Sequence, residues 1–145
     1  MTDETATVRI ERTFEAPAED VFDAWTSPEV IGRWFKPMEG WREASAEVDL
    51  RVGGTVRVVM HGPDGREVHA GGEYTLIERP HRLAFTWTFD DYPDNQQMIE
   101  LEFTEDGDAT NVVFVNTDIS DEERRRSQYE GWSTCFDEIE LVLAS

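Results

Sequence analysis

From Thr7 to Phe14 the chain alternates, with Val8, Ile10, Arg12 and Phe14 on one side and Thr7, Arg9, Glu11 and Thr13 on the other. A period of two marks a half-buried β-strand. Pro17 then opens a short helix. Glu19 and Asp20 suit the positive end of its dipole, and Val21, Phe22 and Trp25 give it one apolar face. Ser27-Pro28-Glu29 starts a second helix, with Ser27 as N-cap, Pro28 at the first helical position, and Val30, Ile31 and Trp34 apolar. After a loop containing Pro37, Gly40 and Trp41, the pattern returns to strands.

Turn chemistry predicts how those strands pair. Around Pro63-Asp64-Gly65, a three-residue loop with Gly65 left-handed sets Gly62 opposite Arg66 and Met60 opposite Val68. That register gathers Val56, Val58, Met60, Val68, Ala70, Tyr74 and Leu76 on one face, and a slip of one residue would break it. The connection Glu78-Arg79-Pro80-His81 pairs Ile77 with Arg82, Leu76 with Leu83, Tyr74 with Phe85 and Gly72 with Trp87, the glycine leaving space for the indole. A Gly107-Asp108 turn pairs Phe103 with Val112, Leu101 with Phe114 and Ile99 with Asn116. Apolar faces that agree across three independent loops predict a strongly curved antiparallel meander.

The last segment reads as a long helix. Ser120-Asp121-Glu122-Glu123 has the form of a capping box, Ser120 at the N-cap and Glu123 at the third position. Downstream, Trp132, Phe136, Ile139 and Leu143 form an apolar stripe, with Cys135 and Val142 beside it. Such a stripe must lie on something apolar, and the concave face of the sheet is the only large surface predicted. No repeat or linker interrupts the pattern, so residues 1–145 read as one α+β domain, long enough for a single core without staples.

Charge narrows the partners. Thirty-two Asp and Glu against thirteen Lys and Arg leave a net charge of −19, and Lys36 is the only lysine. Nucleic acid and anionic membrane surfaces would both repel such a body. Acidity with almost no lysine resembles the surfaces of proteins from high-salt cytoplasm; an ordinary acidic protein with arginine-biased codon usage would look the same. No apolar run nears the ~18 residues that span a bilayer, and the opening MTDETATVRI is acidic without an apolar signal core. With Cys135 as the single cysteine, the expected location is a reducing cytoplasm.

A strand, two short helices, a six-stranded meander and a long final helix follow the helix-grip order of the START-like superfamily. Within it the chain resembles the family named after the activator of the heat-shock-protein-90 ATPase. The resemblance rests on Arg12, Ala16-Pro17, Val21-Phe22-Asp23-Ala24-Trp25-Thr26-Ser27-Pro28-Glu29, and Trp34 followed by Pro37. It continues through Asp49-Leu50-Arg51-Val52-Gly53-Gly54, Gly72-Glu73-Tyr74, Arg82-Leu83-Ala84-Phe85-Thr86-Trp87, and Gly131-Trp132 with Phe136 and Ile139. It implies a cavity for a small hydrophobic or aromatic molecule between the sheet and the last helix. Two departures stand out. Asn116 occupies a position where a histidine is common, and the extra domain by which eukaryotic activators hold the chaperone has no counterpart in these 145 residues.

By the register above, Met60, Tyr74, Phe85, Trp87, Leu101, Phe114, Asn116, Trp132 and Phe136 project inward, either lining such a cavity or filling the core. Arg12 shares that face, where it meets either a carboxylate of the protein at the cavity edge or an anionic group of a ligand. Asn116 and Tyr74 could orient a ligand or satisfy neighbouring backbone. His61 and His69 fall on the outer face and His81 in a turn, so no metal or cofactor is expected. No G-x-S-x-G elbow is present, Gly53-Gly54 is a turn pair, Arg124-Arg125-Arg126 reads as solvated and paired with Asp121 and Glu122, and Cys135 reads as core. No catalytic residue is assigned.

Three functions compete. The first is a non-enzymatic binding module. The second is a cyclase- or hydrolase-type enzyme in which Tyr74, Asn116 and Arg12 position the substrate, which needs a proton-transfer group in the cavity. The third is a chaperone-associated or other protein-interaction role, which an exposed apolar or aromatic patch near Trp34 and Trp41, outside the cavity, would favour.

Overall fold

A computed structural model describes residues 7–144; most of the opening segment weighed above for export therefore lies outside the described residues. Strand β1 (Val8–Phe14) is followed by helices α1 (Ala18–Thr26) and α2 (Pro28–Trp34). Then come β2 (Arg42–Val48), β3 (Thr55–His61), β4 (Glu67–Glu78), β5 (Arg82–Phe89), β6 (Gln97–Asp106), β7 (Ala109–Thr117) and helix α3 (Glu122–Ala144). The strands form one antiparallel sheet in the order β1-β7-β6-β5-β4-β3-β2, curled around α3 as a helix grip.

Two of the three predicted registers are present. Met60 pairs with Val68 across the Pro63–Gly65 turn, and Leu101 with Phe114 and Ile99 with Asn116 across the Gly107 turn. The third holds only in part. Tyr74 does pair with Phe85, but Leu76 faces Ala84, Ile77 faces Leu83 and Glu78 faces Arg82, with a bulge between Tyr74 and Leu76. The turn closes one residue later on β4 than expected, through a hydrogen bond from the His81 N–H to the Glu78 carbonyl. The bulge absorbs that extra residue. Ile77 therefore joins the inward row Ile77, Leu83, Leu101, Phe114 and Ile10, while Leu76 lies in the outer row with Ala84, Glu100 and Val115.

Gly72 also has a different reason from the one expected. A Cβ there would collide with the Thr86 carbonyl of the neighbouring strand, so the glycine admits backbone rather than the Trp87 indole. The cap of α3 is displaced by one residue. Asp121 Oδ1 accepts the Arg124 backbone N–H at 2.8 Å, whereas the Ser120 hydroxyl accepts from the Arg124 guanidinium. A charged carboxylate is the stronger acceptor at a helix N-terminus, so it takes the role expected of serine. Ser27 likewise joins α1 to α2 through its backbone and makes no side-chain cap.

The core is aromatic. Trp25 contacts Trp34, Phe114, Trp132 and Phe136, and Phe35 bridges Trp34, Trp87 and Trp132, with ring centroids 4.8–6.1 Å apart. The stripe of α3 seats Trp132, Cys135, Phe136 and Ile139 against this cluster, and Val142 and Leu143 extend it part-buried. No helix of the described residues is long and apolar enough to cross a membrane.

Candidate functional site

One end of the interface between α3 and the sheet is open. A cleft of about 370 Å³ lies between the middle of α3, the segment joining α2 to β2, and the strands β3 to β5. Met60, Val68 and Phe89 form its floor, Phe35, Pro37, Met38 and Trp41 one wall, and Ser127, Gly131, Trp132 and Cys135 the other. Local sequence explains the shape. Trp41 lies flat on Gly62, where a Cβ would come within 3.0 Å of the indole. Gly131 keeps the facing turn of α3 slim, its missing Cβ pointing at Pro37. Charge is confined to the mouth, where Glu39, Glu130 and Arg66 sit, the guanidinium 5.6 Å from the centre of the Trp41 ring.

Behind Phe35 and Trp132, which border both spaces, lies a much smaller void of about 20 Å³. It is bounded by Trp25, Ile31, Trp34, Val56, Val58, Tyr74, Phe85 and Trp87 as well. A curled sheet gripping a long helix is a fold shared by many solved structures. The profile of the family described as Activator of Hsp90 ATPase homolog 1-like protein matches residues 15–144. The chain belongs to that family. No curated protein matches the sequence.

Solved structures of similar fold come from several bacteria and beyond. A protein of Chromobacterium violaceum is 24% identical with a TM-score of 0.88, covering 97% of this chain and 99% of its own. One from Mycobacterium smegmatis is 26% identical with a TM-score of 0.80, covering 98% and 96%. An HSP90 activator from Plasmodium falciparum is 24% identical with a TM-score of 0.79, covering 96% of each chain. At such identities the likeness is one of fold.

Within this family member the inward residues expected from the sequence separate into three groups. Met60 and Trp132 line the outer cleft. Tyr74, Phe85, Trp87 and again Trp132 bound the inner void. Leu101, Phe114 and Phe136 are fully buried in the packed core and Asn116 in a cluster of amides, bordering neither space. Arg12 meets a carboxylate of the protein, donating to Asp137 Oδ1 at 2.6 Å with Glu140 Oε1 3.9 Å away and the Phe136 ring beneath. Asn116 Nδ2 donates to Gln97 Oε1 at 3.1 Å and to the Met98 carbonyl, and Gln128 donates to Asn116 Oδ1 at 2.9 Å.

Tyr74 is 1% exposed, and burial pushes its phenol up to about 12. Burial likewise pushes the Cys135 thiol far up. Both groups are therefore protonated at neutral pH. His61 and His69 both lie beside Glu67, and His81 beside Glu105, all on the surface. Arg125 pairs with Glu122 at 2.6 Å, and Arg124 stacks over Tyr92 with its guanidinium carbon 3.5 Å from the ring centre.

Neither tryptophan contributes to an exposed aromatic patch, although the neighbouring Met38 is exposed. Trp34 is 1% exposed, its indole donating to the Ala24 carbonyl, and Trp41 is 8% exposed against Gly62. Sequence reasoning missed several walls of the cleft. Phe89 was recoverable, since it shares the parity of Phe85 and Trp87 along β5. Phe35, Pro37, Met38 and Trp41 sit in irregular chain, where no period tells which way a side chain points.

Proposed function

We propose that this family member binds a small hydrophobic or aromatic molecule in the cleft beneath α3. The observation that carries the reading is the cleft itself, about 370 Å³ with aromatic and thioether walls and its charges held at the rim. This size and lining suit a ligand of two fused rings. The reading calls for no proton-transfer group, in keeping with the protonated state of Tyr74 and Cys135. Trp41 and Trp132 border the cleft, so naphthalene- and flavonoid-type compounds should change the intrinsic fluorescence and raise Tm. Ser127→Trp, at an exposed cleft position on α3, should abolish both responses while leaving the fold intact. A panel of such compounds that moved neither signal in the unaltered protein would refute the proposal.

A chaperone contact is the second reading, favoured by family membership. Because Trp34 and Trp41 are buried, it would have to use another surface. Stimulation of a chaperone ATPase by the purified protein at matched ionic strength tests it, and no stimulation would remove it.

A further inference from the structure

The outer cleft has one cationic side chain on its border, Arg66, and the hairpin of β3 and β4 fixes where it stands. The Gly62 N–H donates to the Arg66 carbonyl at 2.7 Å, next in register to the pairs of Met60 with Val68 and His61 with Glu67. Arg66 therefore shares the parity of Val68 and leaves the chain on the concave side, at the end of the cleft floor. The guanidinium carbon is 5.6 Å from the centre of the Trp41 ring, so an aromatic face holds the cation at the mouth. Yet Arg66 meets no carboxylate of the described residues. Arg33, Arg42 and Arg124 share that state, but none of them borders the cleft, and Arg124 is engaged with the Ser120 hydroxyl and the Tyr92 ring. The charge balance gives the observation its weight. Thirty-two acids against thirteen bases leave most carboxylates without a cation in any fold, so Glu39 and Glu130 at the mouth say little. An unpaired cation in such a chain is the exception, and this one is set against an apolar cleft.

We propose that Arg66 recognises an anionic head group and that the cleft takes aromatic carboxylates. The carboxylate accepts from the guanidinium at the mouth, while the rings lie on Met60, Val68 and Phe89 between the walls carrying Trp41 and Trp132. A guanidinium suits this role because its planar fork of N–H groups matches the two carboxylate oxygens, and stacking on an indole leaves that fork free to donate. The rim is also the right place for the charge. Arg66 is exposed, so the carboxylate keeps part of its hydration and only the apolar body of the ligand is desolvated. The sequence had offered Arg12 for an anionic ligand; that arginine is answered by Asp137, and the open guanidinium on the concave side is Arg66. This inference rests on the binding function proposed above and narrows its ligands from apolar ring systems in general to ring systems bearing an acid.

The test uses 2-naphthoate, 2-naphthamide and 2-naphthylmethylammonium, which share one ring system and differ in the charge of the head. Their dissociation constants are measured by titration calorimetry at neutral pH and about 0.15 M salt. Naphthoate should bind most tightly of the three, about fivefold more tightly than the amide, which is the worth of a partly solvated ion pair. In Arg66→Gln that advantage should fall below about twofold. Arg33→Gln removes the same charge from an exposed helix position off the cleft and should keep it. The Arg66 Nε–H resonance should move with naphthoate and stay in place with the amide. Equal affinity of naphthoate and naphthamide for the unaltered protein, tightest binding of the ammonium compound, or an advantage that survives Arg66→Gln overturns the acid assignment and leaves the proposed function standing. Failure of all three compounds to bind refutes the proposed function, and the acid assignment falls with it.

Discussion

Two sets of buried polar side chains lie under the same helix and are treated in opposite ways. Near the start of α3, Gln97 donates to Asn95 and Gln128, and accepts from Asn116 and Gln128, at 2.8–3.1 Å. Asn95 continues the cluster to the Asp118 carbonyl and the Ser120 N–H. One turn further along α3, around Trp132, the donors of Trp25, Tyr74 and Trp87 meet no protein acceptor. The amide cluster ties the helix to β6 and β7 and leaves nothing over. The aromatic trio is held by packing, its hydrogen-bonding atoms unmatched among the described residues. A buried polar group thus fixes how elements join when its partners are internal, and contributes only its packing when they are not.

The largest effect that could break this comparison is on the amide side. Gln97→Leu removes four hydrogen bonds at the centre of the cluster and should lower stability by about 3 kcal/mol, measured by urea denaturation. A neutral outcome would mean that the cluster is held no more firmly than the trio. Next in size is the pH dependence of Tyr74. Its phenol ionises near 10 in an unfolded chain and at about 12 when folded, so the unfolded state loses its proton first. The stability tied to this group is complete below pH 10 and declines as pH rises toward 12, by about 2 to 3 kcal/mol. Unfolding curves of the unaltered protein and of Tyr74→Phe should diverge across that window by this amount, and parallel curves would contradict the burial. At neutral pH the same Tyr74→Phe change should cost less than about 1 kcal/mol, because no protein group loses a partner. A loss as large as that of Gln97→Leu would place Tyr74 on the architectural side of the comparison.

The sequence made one member of this pair partly legible. Asn116 stands out as a polar residue in an inward apolar row, and the register that places it opposite Ile99 follows from the Gly107 turn alone. Its partner Gln97 shares the parity of Ile99, Leu101 and Phe103 along β6 and was recoverable as an inward position, whereas Gln128 sits beside the apolar stripe of α3 and carries no periodic signal of burial. The aromatic residues of the trio were legible as inward positions for the same reason that the sheet was: alternation and turn chemistry agree. Their missing acceptors could not be read from the chain, since whether an indole N–H finds a carbonyl depends on ring orientation in three dimensions. Trp34 shows the contrast, for its indole, in contact with Trp25, reaches the Ala24 carbonyl at 2.7 Å. The outer cleft was the least legible part, because one of its two walls comes from the loop after α2. The bulge in β4 was hidden too, as one inserted residue changes which side chains face inward without altering composition.

Salt supplies the finest test of the comparison. The net charge of −19 sits outside both polar groups, with the carboxylates of the β-turns and of the first turn of α3 largely exposed. Raising ionic strength from 0.1 to 1 M shortens the screening length from about 10 to about 3 Å, which relieves repulsion among the acids and should raise Tm. The amides and the aromatic donors are uncharged and buried, so that relief should reach the unaltered protein, Gln97→Leu and Tyr74→Phe equally. The stability gaps between the three proteins should then stay constant to within about 0.5 kcal/mol across the salt series. A gap that closed with salt would show that the amide cluster draws its strength from the surrounding field of carboxylates. In that case the difference between the two groups would have been set by surface charge rather than by hydrogen-bond partners.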